Sequence, residues 1–274
     1  MTQRRAAVLG MPIAHSLSPI LHRTAYAELG LNDWRYDPIA CAEDGLATLV
    51  SGMGPEWAGL SLTMPLKRVV FPLLDTVSDL AVEVGAANTV VFRPDGSRHG
   101  ENTDVYGIAE ALREAGVGAP ASATILGGGA TAASALGALR DLGLPEATLV
   151  VRDPSRAGET LDRAERLGMP VRLQPFDGFD ADVDLLISTL PSGAADAFAA
   201  KASRAKAVFD VVYSPWPTVL ATAVRDRGGT IIGGFPMLLH QAAAQVTLMT
   251  GRADAPVEAM RAAGEAELIR RAGA

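Results

Sequence analysis

The chain has 274 residues, 49% of them hydrophobic and 20% charged, enough to bury one large core or two modest ones and too apolar to remain disordered. A net charge of −7 argues against nucleic acid or an anionic membrane as a main partner, and a single cysteine, Cys41, excludes an internal disulfide framework. No apolar run reaches the roughly 20 residues of a spanning helix, so a cytoplasmic protein with no membrane partner is expected. Arg4-Arg5 before Ala6-Ala7-Val8-Leu9 looks faintly like a secretion signal, but Gly10, Pro12 and His15 break the run too early, and it reads as the first strand.

In chain order, the apolar periodicity predicts strands over 6–9, 34–39 and 59–62, with helices over 19–29, 43–51, 65–74 and 79–84. A hairpin pair over 89–92 and 98–101 flanks Pro94-Asp95-Gly96. A helix over 104–115 stops at Gly116-Val117-Gly118. Strands near 124–126, 148–151, 171–174, 184–188, 207–211 and 230–232 then alternate with helical segments, the rhythm of a doubly wound, dinucleotide-binding fold. From about Leu238 the chain is helical again, closing the second domain or returning to the first. The predicted class is α/β: an N-terminal α/β substrate domain over 1–104 with 238–274, and a Rossmann-like doubly wound domain over 105–237.

Gly127-Gly128-Gly129-Ala130-Thr131-Ala132 fits G-x-G-x-x-A directly after a strand and at the start of an Ala-rich helix. Glycines there permit a tight turn and let backbone N–H groups approach a pyrophosphate. The next strand ends Val150-Val151-Arg152-Asp153-Pro154-Ser155-Arg156. Arg152 and Arg156 suit a ribose 2′-phosphate and favour NADP, whereas Asp153, turned inward, would accept a ribose hydroxyl and favour NAD.

Three polar motifs precede this turn: Ser16-Leu17-Ser18-Pro19, Thr63-Met64-Pro65-Leu66-Lys67 and Asn102-Thr103-Asp104. In an extended segment Ser16 and Ser18 face one side and can recognise a carboxylate or hydroxyl. Ser18 is equally placed to cap the helix that Pro19 opens. Of 24 basic residues only Lys67, Lys201 and Lys206 are lysines. Arginine holds its proton at physiological pH, so Lys67 inside a polar motif is the candidate for proton transfer, while Lys201 and Lys206 read as solvated. Asp104 can cap its helix or serve as an ionised catalytic carboxylate. His15, His22, His99 and His240 lack metal-ligand spacing, so no metal is expected.

These residues fall into a known pattern. The run from Gly10 through Ser16-Leu17-Ser18-Pro19 resembles the N-terminal signature of shikimate dehydrogenases. Ser61-Leu62-Thr63-Met64-Pro65-Leu66-Lys67 is similar to their Asn-Val-Thr-x-Pro-x-Lys segment. Gly85-Ala86-Ala87-Asn88-Thr89, Asn102-Thr103-Asp104, the glycine turn, Asp210-Val211-Val212-Tyr213 and the stretch from Gly234 to Gln241-Ala242-Ala243 complete the series in order, over nearly the whole chain. The resemblance implies NADP-dependent reduction of 3-dehydroshikimate to shikimate, in aromatic amino-acid biosynthesis.

It also implies that Ser16, Ser18, Thr63, Asn88, Asp104, Tyr213 and Gln241 contact shikimate and that Lys67 and Asp104 are the catalytic pair. Gly127, Gly128, Gly129, Ala130, Arg152, Arg156, Thr189, Gly234 and Met237 are expected at the cofactor. The family's site lies between its domains, and it spans monomers and homodimers. Two departures stand out: Ser61 replaces the usual Asn, which would loosen the local hydrogen bonding, and Val151-Arg152-Asp153 replaces Asn-Arg-Thr. A quinate/shikimate dehydrogenase preferring NAD, or a dinucleotide-binding sensor without turnover, are the alternatives.

Overall fold

The computed structural model describes residues 3–273. The chain divides into two compact units, one of residues up to Thr103 together with those from Leu239, the other Asp104–Leu238.

In the first unit, β1 (Arg4–Gly10), α1 (Ser18–Glu28), β2 (Trp34–Ala40), α2 (Glu43–Ser51), β3 (Trp57–Leu62), α3 (Leu66–Val69), β4 (Thr76–Val77), α4 (Asp79–Val84), β5 (Thr89–Phe92) and β6 (Arg98–Glu101) follow one another. They form a six-stranded sheet in the order β2-β1-β3-β5-β6-β4. β1 pairs in parallel with β2 and β3, while β5 runs antiparallel to β3 and β6. All six residues of β3 are buried, which is why Trp57-Ala58-Gly59-Leu60-Ser61-Leu62 shows no polar alternation. Ala7, Leu9, Leu46, Leu60, Leu62, Leu66 and Val90 centre one core cluster.

The long helix expected over 65–74 is instead α3 followed by a separate 3₁₀ turn, Phe71–Leu73. Pro72 explains the break: it lacks the N–H that would bond back to Arg68, and it disfavours helical backbone at Phe71. The two-residue β4 is too short to leave a periodic signal.

The second unit contains α5 (Asp104–Glu114), β7 (Ala123–Leu126), α6 (Ala130–Asp141), β8 (Ala147–Val151), α7 (Gly158–Arg166), β9 (Val171–Pro175), β10 (Leu185–Ser188), α8 (Ala199–Ala202), β11 (Ala207–Asp210), α9 (Val219–Asp226) and β12 (Thr230–Ile232). Its sheet is parallel throughout, in the order β12-β11-β10-β7-β8-β9. Numbered within this unit, that is the 3-2-1-4-5-6 order of the dinucleotide-binding fold. The order reverses between β7 and β10, and ligands of such sheets bind outside the strand ends at that point. Between β9 and β10 the described chain forms no helix. Phe176 stacks on Phe198 there, with ring centroids 4.5 Å apart, and Phe179 is buried.

Two helices close the chain, α10 (Gly234–Thr250) and α11 (Val257–Ala272). The division between units falls inside α10, and α11 packs on α1. The helical tail thus returns to the first unit. No described helix is long and apolar enough to cross a membrane.

Candidate active site

The polar motifs of the first unit collect where β1 and β3 end. Thr63 N–H donates to the Leu9 carbonyl at 2.9 Å and Met11 N–H to the Met64 carbonyl at 3.0 Å, so the loops after the two strands are bonded together. The segment before α1 is a turn, closed by Ser16 N–H on the Ile13 carbonyl at 3.0 Å, not an extended strand. Ser18 is already the first residue of α1 and Leu17, in helical backbone, holds the cap position. Pro19 needs no N–H partner in the first turn, which lets the helix begin early. Ser16 and Ser18 still meet, because Ser18 N–H donates to Ser16 Oγ at 3.2 Å. Arg271 of α11 holds this turn from outside by donating to the His15 carbonyl at 2.6 Å. Hydrogen bonds from Arg270 and Arg271 hold the Glu267 carboxyl down to about 2, so Glu267 stays ionised beside the two arginines.

Lys67, half-buried, is the second residue of α3. Its carbonyl accepts from Ala87 N–H at 2.8 Å, which ties α3 to the residue before Asn88. Asn102 anchors the same segment by donating to the Ala86 carbonyl at 2.8 Å. Asn88 donates to Thr103 Oγ1 at 2.9 Å and to Gln241 Oε1 at 3.2 Å, bringing two of the expected substrate groups into contact. The loosening expected at Ser61 is not found. Ser61 accepts from Tyr36 at 2.6 Å and donates to Gln245 at 2.7 Å. The sequence reading missed Tyr36, Gln245 and Arg271, whose partners lie 25 to 256 positions away.

In the second unit, Asp104 is the buried first residue of α5. Tyr213, half-exposed, follows β11 in a loop that the buried Asp210 organises. Asp210 accepts from Val212 N–H at 3.2 Å and from Thr218 Oγ1 at 2.8 Å, and burial pushes its carboxyl above the usual range.

The glycine turn links β7 to α6 as expected. Gly127 has φ +114°, and a Cβ there would overlap the Thr189 hydroxyl, which itself donates to the Leu126 carbonyl at 2.9 Å. Thr189 therefore sits directly against the turn. Thr160 donates to the Gly128 carbonyl at 2.7 Å. Gly129 occupies the cap position of α6, and a Cβ built on it meets nothing within 4 Å, so the approach to this helix N-terminus, the kind of place that binds anions, is uncrowded at Gly129.

A cleft of about 380 Å³ opens beside the turn, lined by Gly127, Gly128, Val151, Arg152 and Asp153 among others. A second cleft of about 340 Å³ shares Arg152, Phe176 and Leu190 with it. Asp153 caps the short turn Pro154–Arg156, accepting from Ser155 N–H at 3.0 Å and from Ser155 Oγ at 2.6 Å. The side chain of Arg156 lies outside the described residues.

Gly234 has a steric role: a Cβ there would overlap the Val211 carbonyl. Met237, three residues on, is buried. Lys206 pairs with Asp184 at 2.6 Å, and Lys201 lies over the Phe179 ring at 4.2 Å rather than standing free in solvent. Among the described residues no group of three or more His, Cys, Asp or Glu could hold a metal ion.

Two sequence profiles match. The shikimate dehydrogenase substrate binding domain covers residues 8–90, and the shikimate 5′-dehydrogenase C-terminal domain covers 234–263. A Synechococcus sp. (strain JA-3-3Ab) protein named shikimate dehydrogenase (NADP(+)) is 34% identical over 277 residues, covering 95% of this chain and 93% of the relative. The chain belongs to the shikimate dehydrogenase family.

Solved structures agree. Shikimate dehydrogenase of Mycobacterium tuberculosis superimposes with a TM-score of 0.89 at 43% identity, covering 96% of this chain and 99% of that one. The Thermus thermophilus enzyme, solved in complex with NADP(H) and shikimate, gives 0.83 at 32% identity, covering 96% and 98%. A substrate-binding N-terminal domain together with a second domain of dinucleotide-binding fold is thus the architecture of this chain, and the first unit's sheet is mixed, not purely parallel.

Proposed function

We infer that the chain catalyses the reversible, NADPH-dependent reduction of 3-dehydroshikimate to shikimate. The observation that carries this reading is the presence, in one family member, of a polar substrate-type cluster and a glycine turn of dinucleotide-binding type. In one unit the Lys67 carbonyl is hydrogen-bonded to Ala87, the neighbour in sequence of Asn88, which donates to Gln241, and in the other a glycine turn lies at the switch point of a 3-2-1-4-5-6 sheet. The fit to a dinucleotide is supported by the open N-terminus of α6, the positive φ of Gly127 and the adjoining clefts.

NADPH, when bound, supplies the hydride that reduces the substrate ketone. Lys67 gives a proton to the oxygen as negative charge develops on it, and Asp104 orients the ammonium and accepts from a substrate hydroxyl. Ser16, Ser18, Thr63, Asn88, Tyr213 and Gln241 position the substrate. Gly127, Gly128, Gly129, Ala130 and Thr189 hold the pyrophosphate side of the cofactor, Met237 flanks it, and Arg152 and Arg156 read the 2′-phosphate. Asp153 keeps an NAD-preferring quinate/shikimate activity as the second reading, but its Oδ1 is taken by the turn it caps, which favours the arginines as readers. The net charge of −7 and the lone cysteine support a cytoplasmic protein without nucleic-acid or membrane partners, and the family resemblance spans both a monomer and a homodimer.

General acid catalysis by a positioned side chain contributes roughly 10²–10⁴ in rate. Lys67→Ala is expected to lower kcat by that order in steady-state assays, with a much smaller change in shikimate KM. Near-normal kcat in the variant removes Lys67 from the proton-donor role.

A further inference from the structure

A line of buried hydrogen bonds crosses the first unit, and counting protons fixes its direction. Gln245 on α10 donates its side-chain amide to the Asn88 backbone carbonyl at 3.2 Å and to Thr89 Oγ1 at 2.9 Å. A carbonyl only accepts, so the amide nitrogen faces Asn88 and Thr89 while Oε1 faces Ser61. Ser61 therefore gives its one proton to Gln245 and takes one from Tyr36. Burial pushes the Tyr36 phenol well above its ordinary range, so it keeps the proton it donates.

On the other side Thr89 gives its proton to Asn88 Oδ1 at 2.9 Å, where Thr103 N–H also points at 2.8 Å. Asn88 Nδ2 then donates to Gln241 Oε1. Tyr36, Ser61, Thr89, Asn88, Gln241 and Gln245 are all buried, so a reversed group would leave donors facing donors away from water. Gln241 accordingly turns its oxygen to Asn88 and its Nε2 away from it.

We propose that this one-way relay, from Tyr36 through Ser61, Gln245, Thr89 and Asn88 to Gln241, fixes Gln241 as a hydrogen-bond donor toward the substrate. Tyr36, Ser61, Thr89 and Gln245 are then positioning residues. The site selects a ligand that offers an acceptor oxygen, a hydroxyl or carboxylate, at Gln241. The inference rests on the reading that Gln241 meets the substrate. It also accounts for a serine where the family usually carries asparagine: Ser61 has one proton to pass on, and Tyr36 supplies the one it needs.

Thr89→Val keeps the side-chain shape and removes the link, leaving Asn88 Oδ1 with one donor fewer and the Gln245 amide one acceptor short. Shikimate KM should rise about 3- to 10-fold, the equivalent of one buried hydrogen bond, with kcat within about twofold and NADP KM unchanged. Thr89→Ser should restore the wild-type KM. Tyr36→Phe, at the far end of the relay, should shift KM in the same direction by a smaller factor. In a Gln241→Ala background the Thr89→Val effect on KM should vanish, because the two residues act through one network. A Thr89→Val effect that persists there, or a wild-type KM in Thr89→Val, overturns the relay. If Gln241→Ala alone leaves shikimate KM unchanged, the substrate reading of Gln241 fails, and the relay's role fails with it.

Discussion

His22 carries an acid-sensitivity that the structure allows to be worked out in size. Its ring is fully buried on α1 and stacks on Tyr36, with centroids 3.9 Å apart and planes 16° apart. Nδ1 lies 3.0 Å from the Ser18 carbonyl, which makes Nδ1–H the donor, and Nε2 is buried without a hydrogen-bond partner. Burial pushes the imidazole down from 6.5 to about 4, against a smaller upward pull from the Ser18 carbonyl. The unfolded chain takes up this proton as the pH falls through 6.5, whereas the folded chain does so only near 4. The contribution is therefore complete above about pH 6.5 and is lost as the pH falls toward 4.

At about 1.4 kcal/mol per pH unit, lowering the pH from 7 to 4.5 removes about 2.5 kcal/mol through this one group. The check is urea unfolding of wild type and His22→Phe at both pH values. Phenylalanine keeps a ring against Tyr36 but cannot titrate. Wild type should lose about 2.5 kcal/mol more than the variant over that interval, whatever the variant's starting stability. Equal losses in the two proteins, within about 0.5 kcal/mol, would refute the assignment of a neutral buried imidazole.

Arg152→Ala should raise the KM for NADP by about tenfold or more and leave that for NAD nearly unchanged, because only the 2′-phosphate offers the guanidinium a charged partner. Equal weakening of both cofactors in initial-rate assays would point to Asp153 as the reader. Gly234→Ala should cost about 1–3 kcal/mol of stability, read as a lower urea midpoint at unchanged slope, since the new methyl displaces the Val211 carbonyl. An unchanged midpoint would show that the backbone there yields freely.

Much of the fold was legible because its signals are local. The apolar runs ending at Leu126, Val151 and Ser188 punctuate a parallel sheet, and the triple glycine at 127–129 needs only its flanking strand and helix to be recognised. Proline set two boundaries that periodicity alone misplaced: Pro72 ended α3 early, and Pro19 let α1 begin at Ser18, so Ser16 lies in the turn and Ser18 in the helix.

The supports of the site were not legible. Ser61 and Gln245 are 184 positions apart, and Arg271 reaches the His15 carbonyl across 256, distances over which a single sequence carries no pairing signal. Tyr36 and His22 looked like ordinary members of a strand and a helix. Only their stacking, and the hydrogen bonds at their edges, give them roles.

The most direct measurement is the initial rate of purified protein with shikimate and with quinate, each paired with NADP and with NAD. The expected result is a kcat/KM for shikimate with NADP that exceeds each other combination by at least about tenfold, or about 1.4 kcal/mol of transition-state discrimination. A preference for quinate or for NAD, or no turnover in any combination, would contradict it.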